Sequence, residues 1–149
     1  MARIAFSNWW NSAVKQVPEL PLFILWSDQS TFRLNGMVNR DNCVYYSKEN
    51  PNISIETQLQ SPCVCVWAGM WAGGIVGPYF FEDTVDRAGY LQILETFVIP
   101  ELIRLKILDF IDFIYFQQDG APAHYHRDVR NFLQATFPGR VIGRATDIP

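Results

Sequence analysis

Phe113 to His126 reads FIYFQQDGAPAHYH, and the fold turns on how that stretch is taken. Four strand-forming residues, Phe113, Ile114, Tyr115 and Phe116, run into Gln117 and Gln118, then into a single carboxylate at Asp119, then into Gly120, Ala121 and Pro122. Aromatic and β-branched side chains favour strands. Glycine permits a tight exit, and proline suits the first turn of a helix, where its missing N–H has no partner to lose. The pattern predicts a buried strand delivering an acid to its carboxyl end, where open α/β sheets gather ligand chemistry. An aspartate at that place also serves as a helix cap, and the local pattern alone leaves both readings open.

Downstream, Tyr125, Val129, Phe132, Leu133 and Thr136 form the apolar stripe of a helix whose polar side carries Arg127, Asp128, Arg130, Asn131 and Gln134. Pro138-Gly139 stops it and Val141-Ile142 starts another short strand. A strand, helix and strand at this spacing predict a right-handed crossover between parallel strands. Upstream, Tyr90, Leu94, Phe97, Val98, Leu102 and Leu105 trace a helix that Pro100 kinks or restarts, preceded by an acidic connector, Glu82 to Asp86, suited to capping it. Before that, Cys63 to Trp71 and Ile75 to Phe81 flank Ala72-Gly73-Gly74, a hairpin signature.

Leu22 to Leu34 reads as the first strand, closed by an Asn35-Gly36 turn. Asp28 shares its more apolar face with Ile24, Trp26, Phe32 and Leu34. A carboxylate so placed must be paired, hydrogen-bonded, metal-bound or solvated at the strand's end. Cys43 to Tyr46 is a further strand candidate and Lys48 to Ser61 a polar loop. At the start, Phe6, Trp10, Ala13, Val14 and Val17 have the spacing of an amphipathic helix ended by Pro18 and Pro21. The expected organisation is a linker-like helix over residues 1–20 and one domain over 21–149. That domain is α/β: three antiparallel strands, then helix, strand, helix and strand in one mixed sheet.

The 149 residues are enough for one domain with a sizeable core, and 49% hydrophobic content with 18% charged residues excludes a disordered class. A formal net charge of -3 provides no overall basic field, so any nucleic-acid contact has to be local. No apolar run is long enough to span a membrane and no signal peptide is evident, which predicts an intracellular protein. Cys43, Cys63 and Cys65 lack a second pair to complete a zinc site and are read as small core residues.

Taken in order, ILWSDQSTF (Ile24 to Phe32), VNRDN (Val38 to Asn42), KENP (Lys48 to Pro51), SPCVCVWAGM (Ser61 to Met70), GPYFFED (Gly77 to Asp83) and FQQDGAPAH (Phe116 to His124) span nearly the whole chain. Together they resemble the successive blocks of the catalytic domain of mariner-superfamily transposases, the insect-type elements above all. The resemblance implies a ribonuclease-H-like fold in which the first and fourth strands are neighbours. It implies metal-dependent DNA cleavage and strand transfer, magnesium or manganese as cofactor, transposon-end DNA as partner, and a nuclear location. It places two of the family's three metal-binding acids at Asp28 and Asp119, with Gln29 where the family commonly has Glu. Paired divalent ions activate the attacking oxygen and stabilise the leaving one, and magnesium prefers oxygen ligands.

The family's third acid lies on a helix beyond a Trp-Pro-Pro and Ser-Pro-Asp segment, whereas this sequence ends at Asp147-Ile148-Pro149. The resemblance therefore implies a catalytic domain truncated at both ends, without the preceding helix-turn-helix half, and catalytically incomplete. Asp147 falls in a loop short of the expected helix. His124 belongs to a matched block and is expected to hydrogen-bond near the active site. His126, two positions on, does not share its helix face and is read as surface. Among the C-terminal arginines, Arg140 and Arg144 are candidate DNA-phosphate contacts, while a solvated helix face accounts for Arg127 and Arg130. The alternative functions are a non-catalytic DNA- or protein-binding module and a decayed relic. An uncovered edge at the last strand predicts self-association.

Overall fold

The computed structural model of the chain describes residues 2–34, 46–50, 62–82, 84–105 and 113–148. Its centre is β1, Ile24–Arg33, which begins after a short 3-10 turn, Leu20–Phe23. The first strand thus starts two residues later than the sequence pattern suggests, because Pro21 supports a helical turn rather than a ladder position. β2, Cys63–Trp71, pairs antiparallel with β1 along nearly its whole length, and β3, Gly74–Phe81, folds back on β2 through the glycine turn. On the other side of β1 lie β4, Tyr115–Gln117, and then β5, Val141–Ile142, both in parallel pairing. The sheet order β3-β2-β1-β4-β5 is the mixed α/β arrangement expected for a ribonuclease-H-like domain. The strand expected at Cys43 to Tyr46 and the loop at Lys48 to Ser61 lie mostly outside the described residues.

The main core lies on one face of this sheet. Leu25, Trp67, Val76, Phe116 and Val141 from the strands meet Tyr90, Ile93, Leu94, Val98, Leu102, Val129, Leu133 and Phe137, all buried. α2, Arg87–Ile93, is capped by Asp86, whose carboxylate accepts from the Gly89 amide at 2.8 Å. It runs through one wide π turn, Leu94–Val98, into α3, Ile99–Arg104. Pro100 has no N–H to offer the Thr96 carbonyl one turn back. The helix therefore widens and continues instead of stopping, as helices do at such places.

The helix expected as one piece after Asp119 is two. α4, Pro122–Tyr125, ends at His126, whose ψ of 144° breaks the helix, and α5, Arg127–Thr136, resumes at once. His124 and His126 are therefore not on one helix, and Tyr125 leaves the expected core stripe for the surface.

On the opposite face, α1, Ala2–Gln16, lays Phe6, Trp9, Trp10, Ala13 and Val14 against Leu20, Ile24, Tyr115, Ile142 and Ile148. Val17, expected on that apolar face, is exposed, and Trp9 takes its place. Trp9 stands 6.1 Å from Tyr115 and Trp10 stands 6.2 Å from Trp26, ring centre to ring centre.

α1 covers only part of this face. Beyond it Phe32, Met70, Ile75 and Phe80 are each more than half exposed. The apolar face of β1 is therefore its open one, and the helix layer covers the face bearing Leu25 and Ser27 instead. Cys43 lies outside the described residues, and Cys63 and Cys65 are not the small core residues expected. Cys63 is exposed and Cys65 half-buried, because the start of β2 projects past the helices and burial becomes complete only at Trp67. The outer edge of β5 is not bare either: Ile148 bridges to Ile142, and the Gly143 amide donates to the Ile148 carbonyl at 3.0 Å.

Candidate metal centre and active-site cleft

The parallel pairing of β1 with β4 matches Ile24 to Tyr115, Leu25 to Phe116 and Trp26 to Gln117. Two residues past the last matched pair on each strand stand Asp28 and Asp119, one period of side-chain alternation further along both chains. The two acids thus follow directly on the paired segment of two adjacent strands. Asp28 is held by its pairing with Ala68 of β2. Asp119 has already left the ladder, and Gly120 and Pro122 turn the chain into α4.

Both acids line one open cleft of about 550 Å³, together with Trp26, Ser27, Ala68, Gly69, Met70, Ile75 and Gln117. Asp28 Oδ1 accepts from the Gln29 amide at 2.7 Å. Asp119 Oδ1 accepts from the Ala121 amide at 3.0 Å and from His124 Nδ1 at 2.6 Å. Each carboxylate keeps its second oxygen without a partner among the described residues. Both acids are exposed, so the burial penalty feared for Asp28 does not arise: its face is apolar in composition but open to solvent.

Behind Asp119 lies a buried polar network that links residues far apart in sequence. His124 is 2% exposed and its ring sits 4.1 Å from that of Tyr90. The Tyr90 hydroxyl donates to Gln118 Oε1 at 3.1 Å, and Gln118 Nε2 donates to the His124 carbonyl at 3.2 Å. Since Asp119 is the acceptor, His124 carries its proton on Nδ1, leaving Nε2 buried with no partner among the described residues. Burial, first of all, pushes the Tyr90 hydroxyl far above the ordinary tyrosine range, and the charge of Asp119 pushes the same way. Tyr90 therefore stays a neutral donor to Gln118. Ser27 closes the floor of the cleft by donating to the Gln117 carbonyl at 2.6 Å. Tyr90, Gln118 and Ser27 are the site-supporting residues that sequence reasoning missed. Gln118 lay in the matched block, but nothing in the sequence pairs it with Tyr90.

The remaining candidates separate. Arg144 leans over Gly120, where a Cβ would stand 3.2 Å from its Cδ, so it borders the Asp119 turn. Arg140 precedes β5, at the end of the sheet where the parallel strands begin, and its Nε donates to the Pro138 carbonyl at 3.4 Å. Asp147 faces α5, accepting from Gln134 Nε2 at 2.6 Å. His126 is half-buried: its Nε2 accepts from Arg87 at 3.1 Å and its Nδ1 lies 3.4 Å from the Asp128 carboxylate.

Two carboxylates with unpartnered oxygens lining one open cleft are of the donor type that a hard cation prefers. Among the described residues no group of three or more acids, histidines or cysteines is gathered closely enough to hold one. No helix among them is long and apolar enough to cross a membrane.

No protein-family model and no curated protein sequence matches this chain. Solved structures do match it. The Mos1 mariner paired-end complex with manganese aligns with a TM-score of 0.67 over 97% of this chain at 22% identity. The Mos1 transposase paired-end complex with the left transposon end aligns at 0.65 over 93%, with 19% identity. The Mos1 catalytic domain with raltegravir and magnesium aligns at 0.56 over 91%, with 21% identity. The fold is that of the mariner transposase catalytic domain. The chain spans 42%, 39% and 54% of those three structures. The strand order β3-β2-β1-β4-β5 is consistent with that fold.

Proposed function

We propose that the chain is part of the catalytic domain of a mariner-like transposase and that Asp28 and Asp119 are two of its divalent-metal ligands. One observation supports this reading: Asp28 and Asp119, each just past the β1–β4 pairing, line one cleft. The matching Mos1 structures, determined with magnesium or manganese, support it. A bound pair of such ions supplies an activated attacking oxygen and charge stabilisation at the leaving one. The chain's own residues do the holding. β1 fixes Asp28, the His124 hydrogen bond and the Ala121 amide fix Asp119, and Ser27 keeps the floor of the cleft joined across the strands. The proposed partner is DNA and the proposed location the nucleus, both following from that reading.

Manganese binding tests it. Titration followed by the electron-spin signal of free manganese is expected to reveal a weak, millimolar site in the 149-residue polypeptide and none in Asp28→Asn. Equal binding by the two proteins sinks the proposal. Two carboxylates hold the ions loosely, and these displacements depend on positioning. The same polypeptide is therefore expected to cut DNA no faster than Asp28→Ala in magnesium or manganese, and nicking abolished by that substitution overturns the expectation.

A second reading, a non-catalytic binding module, is favoured by the exposed Phe32, Met70, Ile75 and Phe80 on the open sheet face. Apolar patches of this kind attract partners, and a second copy of the chain is the proposed one. Sedimentation equilibrium is expected to show mass rising with concentration; a constant monomer mass removes this reading.

A further inference from the structure

The turn that follows β5 is built to hold one cation beside the Asp119 loop. Residues 143–148 close on themselves: the Gly143 amide donates to the Ile148 carbonyl at 3.0 Å, and the Thr146 hydroxyl lies 2.9 Å from the carbonyls of both Gly143 and Ile148. Ile148 is buried and anchors the end. Ala145 is held at φ 55°, a conformation that residues with a side chain rarely adopt. Arg130 holds it there, donating from its guanidinium to the Ala145 carbonyl at 2.9 Å and to the Tyr125 carbonyl at 3.1 Å.

The residue that this turn presents is Arg144. Its guanidinium carbon lies 4.6 Å from the centre of the Tyr125 ring, whose surroundings also include Arg130 at 5.0 Å. Its methylenes fill the space that Gly120 leaves by having no side chain. No carboxylate among the described residues forms an ion pair with it. A strained, internally bonded turn that holds an exposed guanidinium on an aromatic ring, unpaired and next to an acid-lined cleft, has the features of a preorganised anion contact. Arginine is suited to this role, since its planar fork matches phosphate geometry while its face rests on a ring.

We propose that Arg144 contacts a backbone phosphate of the DNA strand that enters the Asp28–Asp119 cleft. The proposal rests on the function proposed above and adds a binding residue to it. The contact also answers an electrostatic need. A cleft edged by two carboxylates in a chain of net charge -3 repels a polyanion, and a fixed cation at its rim offsets that repulsion where the strand must pass.

The test is binding of a short fluorescein-labelled DNA duplex, followed by anisotropy across a sodium chloride series with magnesium present. Arg144→Ala is expected to weaken binding roughly three- to tenfold and to lower the slope of log affinity against log salt by about 0.9, the value of one phosphate contact. Arg144→Met keeps the chain over Gly120 without the charge and is expected to behave the same way. Arg144→Lys is expected to retain the slope with reduced affinity. Arg104→Ala changes net charge equally but removes a guanidinium that Glu101 already pairs, and it is expected to bind as wild type does. Absence of wild-type binding overturns the proposal, as does a wild-type slope in both Arg144→Ala and Arg144→Met, or an equal loss in Arg104→Ala. Manganese binding separates the two levels. If Arg144 governs the slope but Asp28→Asn leaves manganese binding intact, the catalytic reading fails and the phosphate contact stands. If manganese binding behaves as expected and Arg144 is silent, the reverse holds.

Discussion

Trp67→Ala is expected to remove about 3–5 kcal/mol of folding stability, the usual loss when a large aromatic side chain is deleted from a packed core. Trp67 is wholly buried in the middle of β2, matched to Gln29 of β1 on one side and Tyr79 of β3 on the other. Its ring meets Phe97 of the π turn edge-on with centres 6.4 Å apart. It thus joins the hairpin to the α2–α3 helix, and the cavity left by alanine lies between two rigid layers that have little freedom to collapse. Natural domains have roughly 5–15 kcal/mol in all, so this one change takes a large share. Urea unfolding reads it directly as a lower midpoint at unchanged slope. A loss below about 1 kcal/mol means that the hairpin and helix do not share one core.

The second large effect is on metal response rather than on packing. A cation that binds the folded chain and not the unfolded one stabilises by mass action, about 1.4 kcal/mol when its concentration is tenfold above its dissociation constant. For a domain of this size that is a rise of roughly 4 °C in Tm. With a millimolar dissociation constant, wild type is expected to show it at magnesium concentrations on the order of ten millimolar, with a smaller rise at millimolar magnesium, and more strongly with manganese; Asp119→Asn is expected to show none. The asparagine keeps an oxygen at the Oδ1 position, so the His124 and Ala121 hydrogen bonds survive while the charge is lost. Without metal, the variant is expected to melt at or above the wild-type temperature, because one of two neighbouring negative charges is gone. If wild type and Asp119→Asn melt identically with and without metal, the two aspartates do not form a site.

The sequence made the acids easier to find than their surroundings. Asp119 was legible because a strand, an acid, a glycine and a proline follow one another within ten residues, and local chemistry dictates the order. Asp28 was legible as a carboxylate in an apolar strand, but its environment was not. Alternation along Ile24, Trp26, Asp28 and Phe32 identifies a face without saying which face the helices will cover. The layer settled over Leu25 and Ser27, which left Phe32 exposed and made a hydroxyl part of the interior. The Tyr90–Gln118–His124 network was hidden because its members come from two helices and a strand end, and no sequence period connects them. The break at His126 escaped for a different reason: Tyr125 fits the helical stripe by spacing, whereas its ring is exposed beside the guanidinium groups of Arg130 and Arg144.

Trp26 belongs to the wall of the cleft and also touches Trp10 of α1. It lines the cleft with Asp28 and Asp119, so if the proposed site takes up manganese, quenching of tryptophan emission is the expected readout of cleft occupancy. The same indole meets Trp10 of α1 at 6.2 Å, ring centre to ring centre, so the cleft wall and the N-terminal helix share one aromatic contact.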